Sequence, residues 1–152
     1  MQLNVNDIKK LREETGAGVM EVKQTLEQCN GSYDEAFKIL MEKVGAKAAK
    51  KSERVTKDGL VTSYIHAGGK IGSLISLACE TDFVAKTEAF QNLAHEVALQ
   101  ACTEEFENVE ALLNSEYIRD PSKKIQDLVN ETIAKTGEKI ELRTFVRFDV
   151  RA

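Results

Sequence analysis

The chain has 152 residues, of which 42% are hydrophobic and 30% charged, and its net charge is −4 at pH 7. These values are typical of a soluble globular protein that holds one medium domain, or one small domain plus a minimal one. The negative charge argues against general nucleic-acid binding, which depends on an excess of Lys and Arg, and no apolar run is long enough to span a bilayer.

The first third of the chain has the pattern of three short helices. Their apolar residues recur at helical spacing: Val5, Ile8 and Leu11; Val22, Leu26 and Cys29; and Ala36, Phe37, Leu40, Met41 and Val44. Gly16, Gly31 and Gly45 follow the three runs as helix ends, and Ser32 with Glu35 forms a capping box at the start of the third. Residues 1–45 are therefore predicted to form a small three-helix domain, marginal by itself.

The next segment is basic and rich in helix formers. Ala46–Arg54 contains three lysines and one arginine but no large apolar residue, which is typical of an exposed linker helix. Its positive charge is explained either by a solvated face or by a phosphate or RNA contact. Residues 46–57 are predicted to link two domains.

The pattern then changes to the two-residue period of strands. Leu60–His66 alternates as a strand, Ala67–Lys70 contains two glycines suited to a hairpin turn, and Ile71–Cys79 reads as the antiparallel partner. One face of this second strand carries alternate residues: Ile71, Ser73, Ile75, Leu77 and Cys79.

The end of that strand passes directly into a helix. Thr81 is a good helix N-cap, and Asp82 lies in the first turn, where the positive end of a helix favours a carboxylate. Phe83 follows at a strand-to-helix corner. Two interpretations remain open here: the ring folds inward at a capped helix start, or it protrudes as a wedge that contacts another protein.

The remaining segments predict two helices and a final strand. Thr87 caps an amphipathic helix, Val109–Tyr117 is a weak helix or ordered loop, and Asp120–Gly137 spans another helix that starts at its Asp-Pro-Ser triplet. In the last strand one set of alternate residues is apolar and is predicted to share a face: Ile140, Leu142, Thr144, Val146, Phe148 and Val150. The opposite set contains Glu141, Arg143, Phe145, Arg147 and Asp149.

Residues 58–152 are therefore predicted to form an α+β core domain of order β-β-α-α-β. A three-stranded antiparallel sheet has helices on one face, and its edges leave backbone groups without partners. We predict that the chain forms a homodimer through this sheet.

The cysteines and histidines give little support for an active site. Cys29, Cys79 and Cys102 are an odd number without C-x-x-C spacing, which favours reduced thiols in the cytoplasm, or in an organelle if a leader is removed. His66 and His95 have no spacing suited to a zinc site. Cys79 with His66 could form a nucleophile–base pair, but no third residue is evident to orient the histidine, so a buried thiol and a hairpin-end histidine are favoured, and no cofactor motif is present.

Several segments resemble the translation elongation factor Ts family. Leu11–Lys23 (LREETGAGVMEVK) resembles its N-terminal signature, and Ala46–Arg54 resembles its linker. Thr81–Ala85 (TDFVA) matches its best-known motif, and Gly137–Phe148 is similar to its last strand. Together the matches touch most of the chain in order.

The resemblance implies a guanine-nucleotide exchange factor for the GTPase elongation factor Tu, which is not an enzyme and needs no cofactor, nucleic acid or membrane. Its first domain would be a ubiquitin-associated-like module that docks on the G domain of the partner. The alternative is an adaptor without exchange activity, in which a module that binds ubiquitin-like folds is joined to a dimerising α+β domain.

The resemblance also implies a role for particular residues. Val19, Met20 and Lys23 fall on the docking surface of the first domain. Thr81–Val84 would enter the partner near its Mg²⁺ site, with Asp82 and Phe83 as the main contacts. His66 matches a loop that touches the partner away from the nucleotide.

The chain departs from the family in two ways. The segment Val109–Pro121 is too short for the helical hairpin that many members carry, and only one core is present, so two copies together would supply what longer members carry in one chain. Within the first signature, Val19, Glu21 and Gln24 replace the usual methionine, aspartate and lysine. The change at Gln24 removes one charge that could contact the partner.

Overall fold

A computed structural model describes residues 2–152, in which seven helices and three strands are grouped in separate runs, as in an α+β fold. The helices are α1 (Val5–Thr15), α2 (Val19–Gln28), α3 (Tyr33–Ala49), α4 (Asp82–Ala85), α5 (Glu88–Ala101), α6 (Val109–Asn114) and α7 (Ile125–Thr136). The strands are β1 (Asp58–Ile65), β2 (Ile71–Cys79) and β3 (Glu141–Asp149). The three N-terminal helices precede the sheet, which confirms the predicted fold class.

The caps of the first helices follow from local sequence. Asn4 accepts a hydrogen bond from the backbone N–H of Asn6 at 2.8 Å, and Ser32 accepts one from Glu35 at 3.5 Å. Gly16 ends α1 in the left-handed conformation, with φ of 76°. The three helices enclose their own cluster of buried residues: Ile8, Leu11, Ala17, Val22, Leu26, Cys29, Ala36, Leu40 and Val44.

The third helix is longer than predicted, because Gly45 lies inside α3 rather than at its end. The helix continues through the helix-forming residues that follow, and Ala48 joins the hydrophobic core of the sheet domain. The first part of the predicted linker helix, residues 46–49, therefore forms the last turn of α3. The domain boundaries after residues 45 and 57 stay a prediction.

The sheet has the order β1-β2-β3, and both pairs are antiparallel. Gly68 and Gly69 have positive φ values of 87° and 71° in the turn between β1 and β2, as this hairpin requires. Helix α5 packs directly on one face of the sheet, with α6 against β3 and α7 against α5, and Ile75, Leu77 and Cys79 are buried on that side. We call the uncovered side the open face.

The predicted facing of the last strand is wrong beyond Leu142. Ser76 pairs with Thr144 while Leu77 pairs with Leu142, so β3 has one extra residue, Arg143, at this point. This bulge reverses which residues face the core. Leu142 is buried, whereas the next apolar residues of its predicted set are exposed: Val146, Phe148 and Val150.

The open face is therefore apolar. Its large side chains come from all three strands and are between 39% and 69% exposed: Val61, Ile65, Leu74, Val146 and Phe148. Side chains on this face meet across the strands, since Leu74 is paired with Val146.

Helix α7 begins later than predicted. Asp120 accepts hydrogen bonds from the N–H and the hydroxyl of Ser122, which makes a turn of this segment. The helix starts at Ile125, where the N–H of Lys124 donates to Asp127 at 2.9 Å.

The N-terminal helices pack against α7. Gly16 lies so close to it that an added Cβ atom would be 2.6 Å from the carbonyl oxygen of Glu131. Lys123 is buried at this junction, where its Nζ donates to the carbonyl of Glu14 at 3.1 Å and to the Glu131 carboxylate at 2.5 Å. Its ammonium also lies 5.4 Å from the centre of the Phe37 ring.

Candidate partner-binding surfaces

The segment Thr81–Val84, here called the corner, leaves the end of β2 and forms the start of the short helix α4. The Thr81 hydroxyl accepts a hydrogen bond from the N–H of Val84 at 3.3 Å, which confirms the predicted N-cap. Cys79, two residues before, is fully buried beneath the corner, and its thiol donates to the Thr81 carbonyl.

The side chains of the corner point in different directions. Phe83 is 81% exposed, the largest value among the exposed large hydrophobic residues. Val84 is 3% exposed and belongs to the core of the sheet domain. The ring therefore does not fold inward, and the neighbouring valine anchors the corner from below.

The acid of the corner has a partner that the sequence analysis overlooked. The Asp82 carboxylate is exposed and lies 2.8 Å from the ammonium of Lys86, one helical turn further on. This hydrogen bond and charge raise the pKa of Lys86 above its usual range. The exposed surface of the corner thus carries a charge pair beside a bare aromatic ring.

Two carboxylates, one of them from a distant segment, join the backbone of the corner to the residues after α7. Glu138, just after α7, accepts hydrogen bonds from the N–H of Glu80 at 3.1 Å and from the N–H of Thr81 at 3.0 Å. Its other oxygen accepts from the Thr81 hydroxyl at 2.7 Å. In return Glu80 accepts from the N–H of Lys139 at 2.5 Å and from the Arg54 guanidinium at 3.3 Å. No local pattern in the sequence predicts these bonds, because they join residues 26 to 59 positions apart.

A second candidate surface lies on α2. Val19, Met20 and Lys23 are all exposed, Met20 by 63%, and their spacing brings them to neighbouring positions on the helix. Glu21 pairs with Lys47 of α3 at 2.8 Å. This surface combines apolar and charged groups that no other part of residues 2–152 covers.

A crevice joins this helix to the end of α7. It has a volume of about 140 Å³ and is lined by Gly18 and Glu21 near the start of α2 and by Gly137 after α7. Gly137 immediately precedes Glu138, and its carbonyl accepts a hydrogen bond from Arg54 at 3.1 Å. The end of α7 therefore contacts elements on both sides, the N-terminal helices and the corner.

His66 is exposed at the tip of the β1–β2 hairpin, where its N–H donates to the carbonyl of Ile71. Its ring lies beside Tyr64, whose hydroxyl is 3.4 Å from Nδ1. The strand register puts this tip and the corner at opposite ends of the sheet, since Ile65 pairs with Gly72.

The same register argues against a thiol nucleophile. Cys79 pairs with Asp58 at the far end of β1 from His66, so the histidine cannot serve as its base. Burial raises the pKa of the Cys79 thiol to about 11, and the nearby Glu138 charge adds to this effect. The thiol is protonated at neutral pH, which makes it a poor nucleophile.

Residues 2–152 contain neither a cluster of metal ligands nor a membrane-spanning helix. No group of three or more His, Cys, Asp or Glu side chains there could hold a metal ion. None of the helices in this range is both long and apolar enough to cross a membrane. The three cysteines are buried and free of disulfides.

Comparison with known proteins points to one family. The family model described as elongation factor TS matches residues 80–152, a range that contains both the corner and Glu138. Relatives named elongation factor Ts cover nearly the whole chain. The protein from Thermoanaerobacter pseudethanolicus is 39% identical over 97% of this chain and 94% of its own length. The protein from Moorella thermoacetica is 38% identical over 95% and 93%. The protein from Thermotoga maritima is 35% identical over 99% and 97%.

The aligned length with the Thermoanaerobacter protein is 192 residues, more than the 152 residues of this chain, so the relative has segments without a counterpart here. Nevertheless the identity extends from the N-terminal helices to the last strand. The chain belongs to the elongation factor Ts family.

Proposed function

We propose that this protein is a guanine-nucleotide exchange factor for elongation factor Tu and that the corner promotes GDP release by disturbing the Mg²⁺ and phosphate site of the GTPase. Family membership supports the partner and the process. The observation that carries the mechanism is the exposure of Phe83 on a capped, hydrogen-bonded turn. No bond is made or broken, so the protein is not an enzyme.

The chemistry of the nucleotide site makes it sensitive to a small displacement. Mg²⁺ requires near-ideal octahedral geometry, and backbone N–H groups surround the phosphates in nucleotide-binding loops. A ring that inserts beside such a site displaces packed side chains and moves their backbone. In this proposal Phe83 acts as the wedge, Thr81 and Asp82 contact polar groups of the partner, and buried Val84 anchors them.

Binding of the factor and of the nucleotide must be coupled in both directions. If the factor weakens nucleotide binding, the nucleotide weakens binding of the factor by the same ratio. The complex therefore forms on the GDP-bound GTPase and dissociates after GTP rebinds. This cycle requires no energy source beyond the concentrations of the two nucleotides.

Docking is assigned to surfaces outside the corner. Val19, Met20 and Lys23 offer two apolar side chains and one positive charge on α2, suited to the surface of the partner's G domain. His66 would form a second contact at the hairpin tip, roughly 25 Å from the corner given the length of β1. Two separated contacts would hold the corner against the nucleotide site.

We further propose that a second copy of the chain covers the open face of the sheet. Five large apolar side chains on one flat face form a patch that stays in contact with water in the monomer. A twofold axis through this face would bury the same residues of both copies. Light scattering should show a dimer that Phe148→Asp converts to a monomer, and a wild-type monomer at high concentration would refute the proposal.

The test of the proposed function is the release of a fluorescent GDP from elongation factor Tu in a stopped-flow instrument. Micromolar amounts of the wild-type chain should accelerate release strongly, and an unchanged rate would count against the proposal. A pull-down separates the alternative adaptor, because only an exchange factor should lose the bound GTPase when GDP is added. The family assignment leads us to expect this activity wherever translation takes place, in the cytoplasm or in an organelle.

A further inference from the structure

We propose that Glu138 is a positioning residue for the corner: its carboxylate holds the turn that presents Phe83, although it does not itself touch the partner. The inference rests on the proposed exchange function and adds a residue to it. Three hydrogen bonds join Glu138, just after α7, to the corner and to the residue before it.

Helix α4 cannot hold the corner by itself. It has four residues, far fewer than an isolated helix needs to be stable in water. The exposed ring of Phe83 makes no compensating contact with the core, and the packing anchors are Val84 and Ala85 on the inner side. The direction of the outer side chains therefore depends on what fixes the preceding backbone.

The Glu138 carboxylate fixes that backbone at three points. It accepts from two successive N–H groups, those of Glu80 and Thr81, and from the Thr81 hydroxyl. Hydrogen bonds to an ionised acceptor are about twice as strong as neutral ones. Because the hydroxyl proton of Thr81 is directed to Glu138, its lone pairs remain available to cap the N–H of Val84.

The reverse bonds make the attachment reciprocal. The Glu80 carboxylate accepts from the N–H of Lys139, next to Glu138, and from Arg54. Arg54 also donates to the carbonyl of Gly137. The corner is thus bonded to two successive residues before β3, through the Glu138 carboxylate and through the N–H of Lys139. Two attachments resist rotation of the corner better than a single hydrogen bond would.

The proposal predicts a graded series of variants. Glu138→Ala removes both acceptor oxygens, and with them all three hydrogen bonds, and should lower the maximal rate of GDP release at saturating factor by about tenfold, the effect of losing roughly one to two such bonds. Glu138→Gln keeps the length and one carbonyl acceptor, so it should recover most of that loss. The concentration of factor at half-saturation should change less than about threefold in both, because α2 and the hairpin perform the docking.

A local measurement separates positioning from general stability. Hydrogen exchange at the amides of Thr81 and Val84 should become faster in Glu138→Ala while the amides of α5 keep their protection. Glu141→Ala is the matched control: this carboxylate accepts from Thr56 at 2.6 Å and makes no bond to the corner. Its loss should change neither the maximal rate nor exchange at the corner.

The inference would be overturned by a Glu138→Ala variant that releases GDP at the wild-type maximal rate. It would also be overturned if Glu141→Ala lowered the rate equally, since both would then act through stability. Failure of the proposed function looks different: the wild-type chain itself would not accelerate release. In that case the hydrogen-exchange result alone would still decide whether Glu138 fixes the corner.

Discussion

The two ends of α7 bind their neighbours in opposite ways. Lys123, just before its first turn, pairs with Glu131 inside the helix, and the two side chains are each 9% exposed, between the N-terminal helices and the sheet domain. After its last turn, Glu138 binds the corner through backbone groups at a surface where Phe83 stays in water. One junction is buried and closed, and the other presents an apolar group outward.

This difference separates residues that maintain the fold from residues that are free to act on a partner. A buried ion pair loses hydration, so its members are needed together, and removing one leaves the other charged and unpaired. An exposed ring contributes little to folding, and its removal leaves the core intact. Mutations at the start of α7 should therefore lower the free energy of unfolding, whereas mutations at the corner should lower the rate of GDP release.

The largest effect on stability is expected from Lys123→Ala. The change leaves Glu131 buried without its cation and removes the bond to Glu14, so the free energy of unfolding should fall by about 3 to 5 kcal/mol. Urea unfolding measures this loss.

Lys124→Ala is the matched control, because the neighbouring lysine is exposed and its loss should leave the unfolding free energy nearly unchanged. The double variant Lys123→Met with Glu131→Leu should regain most of the loss, since it removes both charges together. A single Lys123→Ala variant as stable as the Lys124 control would show that the buried pair does not hold the junction.

A smaller effect is expected from pH. Burial raises the pKa of Glu131 above its ordinary value of 4.5, and the charge of Lys123 offsets only part of this rise. The folded protein therefore retains a proton that the unfolded chain has lost, and the contribution of this proton to stability disappears as pH rises through the folded pKa.

The matched reference is Glu131→Gln, which cannot titrate. The unfolding free energy of the wild type, measured against this variant, should be highest below the ordinary carboxyl value and should decline at higher pH. A difference that grows with pH would mean that Lys123 dominates and that the pKa of Glu131 is lowered instead.

The smallest effect is expected at the exposed pair of the corner. Lys86→Ala removes the partner of Asp82, but both side chains are in water, where ion pairs are screened. The melting temperature should change by less than about 1 °C and the rate of GDP release by less than about threefold. A large fall in the rate with unchanged melting would instead make Lys86 a direct contact with the partner.

Local chemistry made much of this fold predictable from sequence. The caps at Ser32, Thr81 and Thr87 mark the starts of three helices, because each oxygen binds an N–H only three residues away. The glycine turn after His66 and the alternation along β2 likewise define the hairpin. These signals lie within a few residues of the structure that they predict.

The errors and omissions all depend on distant residues. The bulge at Arg143 reflects how β3 fits against β2, and its own sequence still alternates. Helix α3 passes through Gly45 because its continuation packs on α7. At the corner, neither the exposure of Phe83 nor the bonds to Glu138 could be predicted from the sequence. Thr81 and Glu138 are 57 residues apart, so only the complete fold brings them together.

The central claim is that the exposed ring of Phe83 promotes nucleotide release. The most direct measurement is the maximal rate of GDP release from elongation factor Tu, compared between the wild type and Phe83→Ala, with Ile118→Ala as an exposed apolar control. The account predicts a loss of about 100-fold for Phe83→Ala, the size of a hot-spot contact, with unchanged melting and a normal control. A Phe83→Ala variant with the wild-type rate, or one that melts much earlier, would contradict it.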